Sequence, residues 1–314
     1  MSARRFGTVG ALAALCLALW AATPYFATVS NLVNVLEQSA ITGTVAIGMT
    51  FVILTGGIDL SVGSLVALTG IAFGLTFRAT TLVLPAVAAA LACGAACGAI
   101  NGALVTAGRL PPFIATLGMM SVARGLALMA SDGRPISGFP PAVRALAGSG
   151  PIGVPTTVLV MLALYAVAHV TLRRTVLGRY VYAIGGNETA ARLSGVRVAR
   201  YKIVVYVISG VASAVTTLLL VARLNSAQPI AGTSYELDAI AAVVIGGTSL
   251  LGGAGSVLGT LVGALIMSVL RNGLNLLGVS AYAQQLAIGA VIVGAVLLDT
   301  TLRRRTQLAL ERHA

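Results

Sequence analysis

Three short segments of this 314-residue chain carry the residues that could do chemistry. The first is Thr55-Gly56-Gly57-Ile58-Asp59-Leu60-Ser61-Val62-Gly63-Ser64, a carboxylate and hydroxyls set between apolar runs. A carboxylate at membrane depth is costly and is a functional candidate by default. Chain physics offers a milder role. Gly56 and Gly57 break one helix, and Asp59 accepts hydrogen bonds from the free N–H groups that open the next. The capping role is preferred to direct solute contact, although a helix break can serve both. Asp59 and Ser61 are therefore candidates for a helix break or a translocation pathway.

The second segment runs from Asn225 to Asp238 and holds Ser226, Gln228 and Glu236. Glu236 and Asp238 precede an apolar run, so the simpler reading is charge stabilisation of a helix N-terminus. Amides and carboxylates also hold hydroxylated ligands. Asn225, Gln228, Glu236 and Asp238 are thus candidates to meet a ligand or a delivery protein.

The third segment, 173–202, is the longest polar stretch. It contains Gly185-Gly186-Asn187-Glu188-Thr189-Ala190-Ala191-Arg192-Leu193-Ser194-Gly195. Asn187 is placed to cap a two-turn helix, with Glu188 in its first turn. Gly195 can end that helix. A plain connector between antiparallel helices needs about two to eight residues, so a capped helix in a long basic loop points to a docking surface.

Other chemistry is missing. No Gly-x-x-x-x-Gly-Lys-Ser/Thr occurs, and the one lysine, Lys202, follows Tyr201; the chain has no P-loop for nucleotide. No catalytic triad or metalloprotease spacing is present. His169 and His313 are the only histidines, too few for a His-based metal site. Cys16, Cys93 and Cys97 lie inside apolar runs and read as small packing residues. No catalytic residue, metal ligand or bound cofactor is assigned.

The elements that must hold these segments follow from composition. Hydrophobic residues make up 58% of the chain and charged residues 9%, against about a quarter charged in a soluble domain. Apolar runs recur near the ~20 residues that a membrane-crossing helix needs. They are continuous, not alternating, so helices are expected over a barrel. The net charge of +12 marks orientation more than nucleic acid, because most basic residues sit between apolar runs.

Ten spans are expected: Gly7–Thr23, Ala40–Gly57, Leu60–Phe77, Leu82–Ala107, Phe113–Ala130, Thr156–Leu172, Ile203–Ala222, Leu237–Leu251, Val257–Leu270 and Tyr282–Leu298. A polar, amphipathic stretch from Ser30 to Ser39 precedes the second, and a Gly/Pro-rich loop fills Ser131–Pro155. The first span resembles a signal peptide but lacks a clean cleavage site and is read as retained. The eighth and ninth are short and Gly-rich, and are candidates for broken or re-entrant helices. With both termini cytoplasmic, fourteen basic residues lie inside and five outside, in line with the positive-inside rule. Gly94, Gly98 and Gly102 are echoed by Gly255, Gly259 and Gly263, and Asn31–Gly48 by Asn272–Gly289. Two related halves or chance in an Ala/Gly-rich alphabet explain these echoes equally well. The expected fold class is an all-α integral membrane protein, one domain over 1–314, with 173–202 as a cytoplasmic loop within it.

Several of these stretches together closely resemble the permeases of carbohydrate ABC importers of the ribose-transport class. They are Asn31 to Gly70, Gly178 to Val196, Asn225 to Gly253, and Asn272-Gly273-Leu274-Asn275-Leu276-Leu277-Gly278-Val279. The resemblance implies a bacterial inner-membrane permease that imports a monosaccharide by alternating access. It implies a second permease subunit, a cytoplasmic tandem-domain ATPase that binds the ATP and Mg, and an extracytoplasmic sugar-binding protein. Gly185, Gly186, Asn187, Glu188, Ala190, Ala191, Leu193, Ser194 and Gly195 would then form the ATPase-coupling segment. The rival from another class is an ion-coupled secondary sugar transporter, with Asp59, Glu236 and Asp238 as its relay.

Overall fold

A backbone surrounded by lipid must satisfy its own hydrogen bonds, and the apolar runs do so as helices. The computed structural model describes residues 2–148, 150 and 153–311. In chain order the helices are α1 (Ser2–Ala22), α2 (Val29–Leu54), α3 (Val62–Thr80), α4 (Val83–Thr106), α5 (Pro112–Ala130), α6 (Pro141–Arg144) and α7 (Thr156–Arg174). They continue as α8 (Val176–Gly186), α9 (Glu188–Leu193), α10 (Val198–Leu224), α11 (Tyr235–Ile245), α12 (Val257–Leu276) and α13 (Ala281–Glu311). Arg312 and His313 lie outside the described residues.

Among the described residues seven helices are long and apolar enough to cross a membrane: α2, α3, α4, α5, α7, α10 and α12. Shorter apolar stretches occur at Gly7–Ala22 and Ala281–Gly294. The chain is a predominantly α-helical, multi-pass membrane protein. α2, α3, α10 and α12 are mostly buried, whereas α4, α5 and α7 turn most of their surface outward.

Small residues set the tightest contacts, because they let helix backbones approach. A methyl group added at Gly94 would strike the Gly210 carbonyl, and one at Gly98 the Tyr206 carbonyl. This glycine row fits α4 onto α10. Gly259 and Gly263 do the same for α12, against Gly246 and Ala242 of α11. Hydroxyls link helices at depth, with Thr50 and Thr260 at 2.9 Å and Thr69 and Thr217 at 2.7 Å.

Two sequence expectations need correction. The polar stretch Ser30–Ser39 is not separate from the second span; both belong to α2. Its polar side chains stay helical because partners reach them. Asn31 and Asn272 exchange hydrogen bonds at 3.0 and 2.8 Å, and Arg223 donates to Asn34 at 2.6 Å. The ninth span is not broken either: α12 is continuous from Val257 to Leu276, opened by Ser256, whose hydroxyl accepts from the Gly259 N–H at 3.1 Å.

The eighth element is short, as its glycines suggest. α11 has 11 residues, about 16 Å of helix, and Gly247 at φ 86° follows its end. Before it, the chain folds back along α3. Strand β2 (Ser226–Ala227) pairs antiparallel with β1 (Ile136–Ser137), and the backbones of Gly232 and Gly63 lie in close contact. α11 therefore begins part-way along the bundle, not at its end.

Candidate functional site

The segment 173–202 folds into two helices where one was expected. α8 is opened by Thr175, whose hydroxyl accepts from the Gly178 N–H at 3.3 Å. Val181 and Ile184 are buried beneath it, and the Tyr182 hydroxyl donates to the Gly255 carbonyl at 3.0 Å. This 11-residue stretch is amphipathic at helical spacing, and sequence reasoning missed it by reading 173–202 as a single capped helix within a loop.

α9 forms as its sequence requires. Asn187 is extended at φ −160°, and its Oδ1 accepts from the Ala190 N–H at 2.9 Å. Gly195, at φ 83°, ends the turn. Glu188 receives Arg192 at 2.7 Å and Lys202 at 2.6 Å, which ties α9 to the start of α10. The hydrogen bond from Lys202, helped by Arg192, holds the Glu188 carboxyl below its ordinary range. This contribution to the folded state is complete above the ordinary carboxylate pKa and is lost as pH falls through the lowered value.

The surfaces of α9 differ. Ala191 is buried with Ile184 and Val198. Gly186, Asn187, Ala190, Ser194 and Gly195 are exposed, and Leu193 is 84% exposed. An exposed leucine alone is ordinary; here it stands on a capped, ion-paired helix that projects from the bundle. Ala191 is placed to hold the helix down, and the exposed residues form its outer face.

Beneath α8 lies a joint made almost wholly of backbone. The Gly253 N–H donates to the Leu54 carbonyl at 3.0 Å. A methyl group added to Gly185 would collide with that same carbonyl and with the Gly253 nitrogen. One added to Gly252 would lie 2.8 Å from the Gly56 nitrogen. The end of α8, the end of α2 and the loop between α11 and α12 thus meet with no side chain between them. The double glycines at 56–57, 185–186 and 252–253 are visible in the sequence, but their meeting is not.

Asp59 is 0% exposed. Its Oδ1 accepts from the Ser61 N–H at 3.0 Å and the Ser61 hydroxyl at 2.6 Å, and its Oδ2 from the Ser209 hydroxyl at 2.7 Å. The Asn101 amide donates to Ser61 Oγ at 2.9 Å. The carboxylate closes the turn before α3 and joins it to α4 and α10. Asp59 and Ser61 meet, but Asp59 is not the expected helix cap: Ser61 is the N-cap of α3, and no side chain caps its first turn. Asn101 and Ser209 were missed, since each sits alone in an apolar run.

The remaining candidates disperse. Asn225 is left-handed at φ 50°. Gln228 borders a narrow crevice beside Gly70 and Thr217. Glu236 lies over Gly63, and Asp238 is held by Arg271 at 2.8 Å. Arg124 is a basic residue within α5. It donates to the Pro229 and Ala231 carbonyls, both at 2.8 Å, and so secures the folded-back loop. An arginine inside an apolar span must find such partners, and that was the available signal.

Comparison with known proteins adds to this geometry. The ribose import permease protein RbsC of Escherichia coli (strain K12) is 50% identical over 281 residues, covering 88% of each chain. The Bacillus subtilis (strain 168) protein of the same name is 51% identical over 279 residues, covering 88% of this chain and 86% of its own. The D-allose transport system permease protein AlsC of E. coli (strain K12) is 37% identical over 302 residues, covering 96% of this chain and 93% of its own. No solved structure matches. The profile described as branched-chain amino acid transport system / permease component matches residues 31–297, so the chain belongs to that permease family.

Proposed function

We propose that this chain is the membrane-spanning permease of an ATP-driven importer for a monosaccharide, working in a bacterial inner membrane. The observation that carries the reading is the capped helix α9 standing on a backbone joint that meets α2 and the α11–α12 loop. The sugar class rests on relatives named for ribose and D-allose; the family profile's broader wording covers permeases with other cargo. Ten membrane-inserted elements, counting α1, α11 and α13, keep both termini and α8–α9 on the cytoplasmic side, where the basic residues concentrate.

In this mechanism a separate ATPase grips the exposed face of α9, at Asn187, Ala190, Leu193 and Ser194. Mg and ATP belong to that subunit. Its closure moves α8 and α9, and Gly185 passes the movement to Leu54 and Gly253. A second permease subunit completes the pathway, and an outer sugar-binding protein delivers the cargo. Asp59 fixes the break between α2 and α3; its oxygens are occupied by three hydrogen bonds, which argues against a relay for ions.

Energy source tests the reading. In vesicles with the cognate ATPase and binding protein, D-ribose uptake is expected to stop on ATP depletion and to continue with an uncoupler present. Uptake that collapses with the uncoupler and survives ATP depletion would overturn the proposal. A narrower test removes the α9 cap. Asn187→Ala should destabilise the helix start by about 1 kcal/mol and reduce uptake several-fold while ATP hydrolysis persists. Coupling unchanged in that variant, measured as sugar moved per ATP hydrolysed, would count against α9 as the ATPase contact.

A further inference from the structure

In the half of the bundle away from α8 and α9, α2, α10, α11 and α12 border a half-open cavity of about 380 Å³. Its wall is largely apolar, with Gln38, Arg223, Tyr235, Asp238, Ser268 and Arg271 among its polar residues. We propose that this cavity is a subsite for a neutral polyhydroxylated sugar on its way through the permease. The inference rests on the proposed importer function and gives it a place within this chain.

Three features carry the assignment. The first is charge balance. Arg271 meets Asp238 at 2.8 Å, and Arg223 meets Glu37 at 3.4 Å and the Asn34 amide oxygen at 2.6 Å. Each guanidinium has a carboxylate, so the cavity favours neither an anionic nor a cationic solute. Both arginines keep further N–H donors that sugar hydroxyls can meet. The second is an unmet polar group. Ser268 stands in the cavity wall and is 4% exposed, and its buried hydroxyl has no hydrogen-bond partner in the chain. A buried polar group of this kind requires a partner, and a turn of the side chain toward a sugar hydroxyl would supply one. The third is Arg271, whose side chain remains 42% exposed on an apolar helix. Such a group is costly against hydrocarbon and favourable beside a hydrated path.

The cavity is also connected to the coupling segment. Lys202 of α10 is bound to Glu188 of α9, while Arg223, 21 residues further along the same helix, lines the cavity. Leu54 of α2 is at the glycine joint, while Gln38 of that helix lines the cavity. α11 and α12 reach the joint through the loop at Gly253. Movement at the joint therefore reaches each helix that shapes the subsite.

The test uses the complete transporter in proteoliposomes, with its ATPase and binding protein and with D-ribose as the probe. Ser268→Leu fills the cavity, and Gln38→Ala removes an amide from its wall. At saturating loaded binding protein, uptake is expected to fall about tenfold in the first and about threefold in the second. Stimulation of ATP hydrolysis by the binding protein should persist in both. A Gln38→Cys variant adds a direct reading at a partly exposed wall position that does not depend on the leucine variant folding. Its alkylation above the wild-type background of Cys16, Cys93 and Cys97 should slow in high D-ribose and not in an equal concentration of a neutral disaccharide. Wild-type uptake with unimpaired variants and no ribose protection overturns the subsite alone. Wild-type vesicles that take up no ribose with ATP overturn the importer function on which it rests.

Discussion

Gly185→Ala is expected to cut ATP-driven sugar uptake to below about one-tenth of wild type. The added methyl would occupy the space of the Leu54 carbonyl and the Gly253 nitrogen. Overpacking costs about 1–3 kcal/mol where side chains can shift. Here both neighbours are backbone, and one carries the hydrogen bond between Gly253 and Leu54. The joint must open, and a change of about 1.4 kcal/mol in a coupling equilibrium is already tenfold. ATP hydrolysis should continue, because α9 keeps its cap and its ion pairs. Gly186→Ala is the informative neighbour, since its methyl would meet nothing within this chain. It is expected to keep more than about half of the uptake, as an open surface position does. Uptake and hydrolysis are measured together, with co-purification of the ATPase confirming assembly. Normal uptake by Gly185→Ala would sink the joint as the route of force.

Asp59→Ala carries the second large effect, on stability. It leaves the Ser61 N–H, the Ser61 hydroxyl and the Ser209 hydroxyl without their buried acceptor. Each buried donor left unpaired costs about 1–3 kcal/mol, so a loss of about 3 kcal/mol or more is expected. The measurement is thermal unfolding in detergent, with the yield of monodisperse protein beside it. Asp59→Asn should do far less harm. Its amide oxygen can still accept from Ser61, and its NH2 group can donate to Ser209, whose hydroxyl can turn to accept. The pair of variants separates two roles. A structural brace predicts an unstable alanine variant and an asparagine variant that still transports. A stable asparagine variant that no longer transports would instead point to a carboxylate that must ionise, as the ion-coupled alternative requires.

The sequence by itself determined the environment, the class of fold and the local geometry of the exposed segment. A chain with 9% charged residues cannot cover a water-facing surface, and its apolar runs have no choice but helix in lipid. The Asn187 cap and the Gly195 stop were legible because capping is a contact between residues three apart. The contact of Asp59 with Ser61, two residues on, is equally local.

Tertiary structure decided what those local features act upon. Ser30–Ser39 looked too polar to join a span, and only Asn272 and Arg223, more than 180 residues away, keep it in α2. Arg124 was an anomaly in one dimension and a clamp on the Pro229–Ala231 backbone in three. Three double glycines became a joint, and residues from four helices came to line one cavity. Hydrogen bonding along a helix is written in neighbouring residues. Which faces meet is set by packing among many nearly equivalent small and apolar side chains, and an Ala/Gly-rich alphabet leaves that choice unwritten until the whole bundle closes.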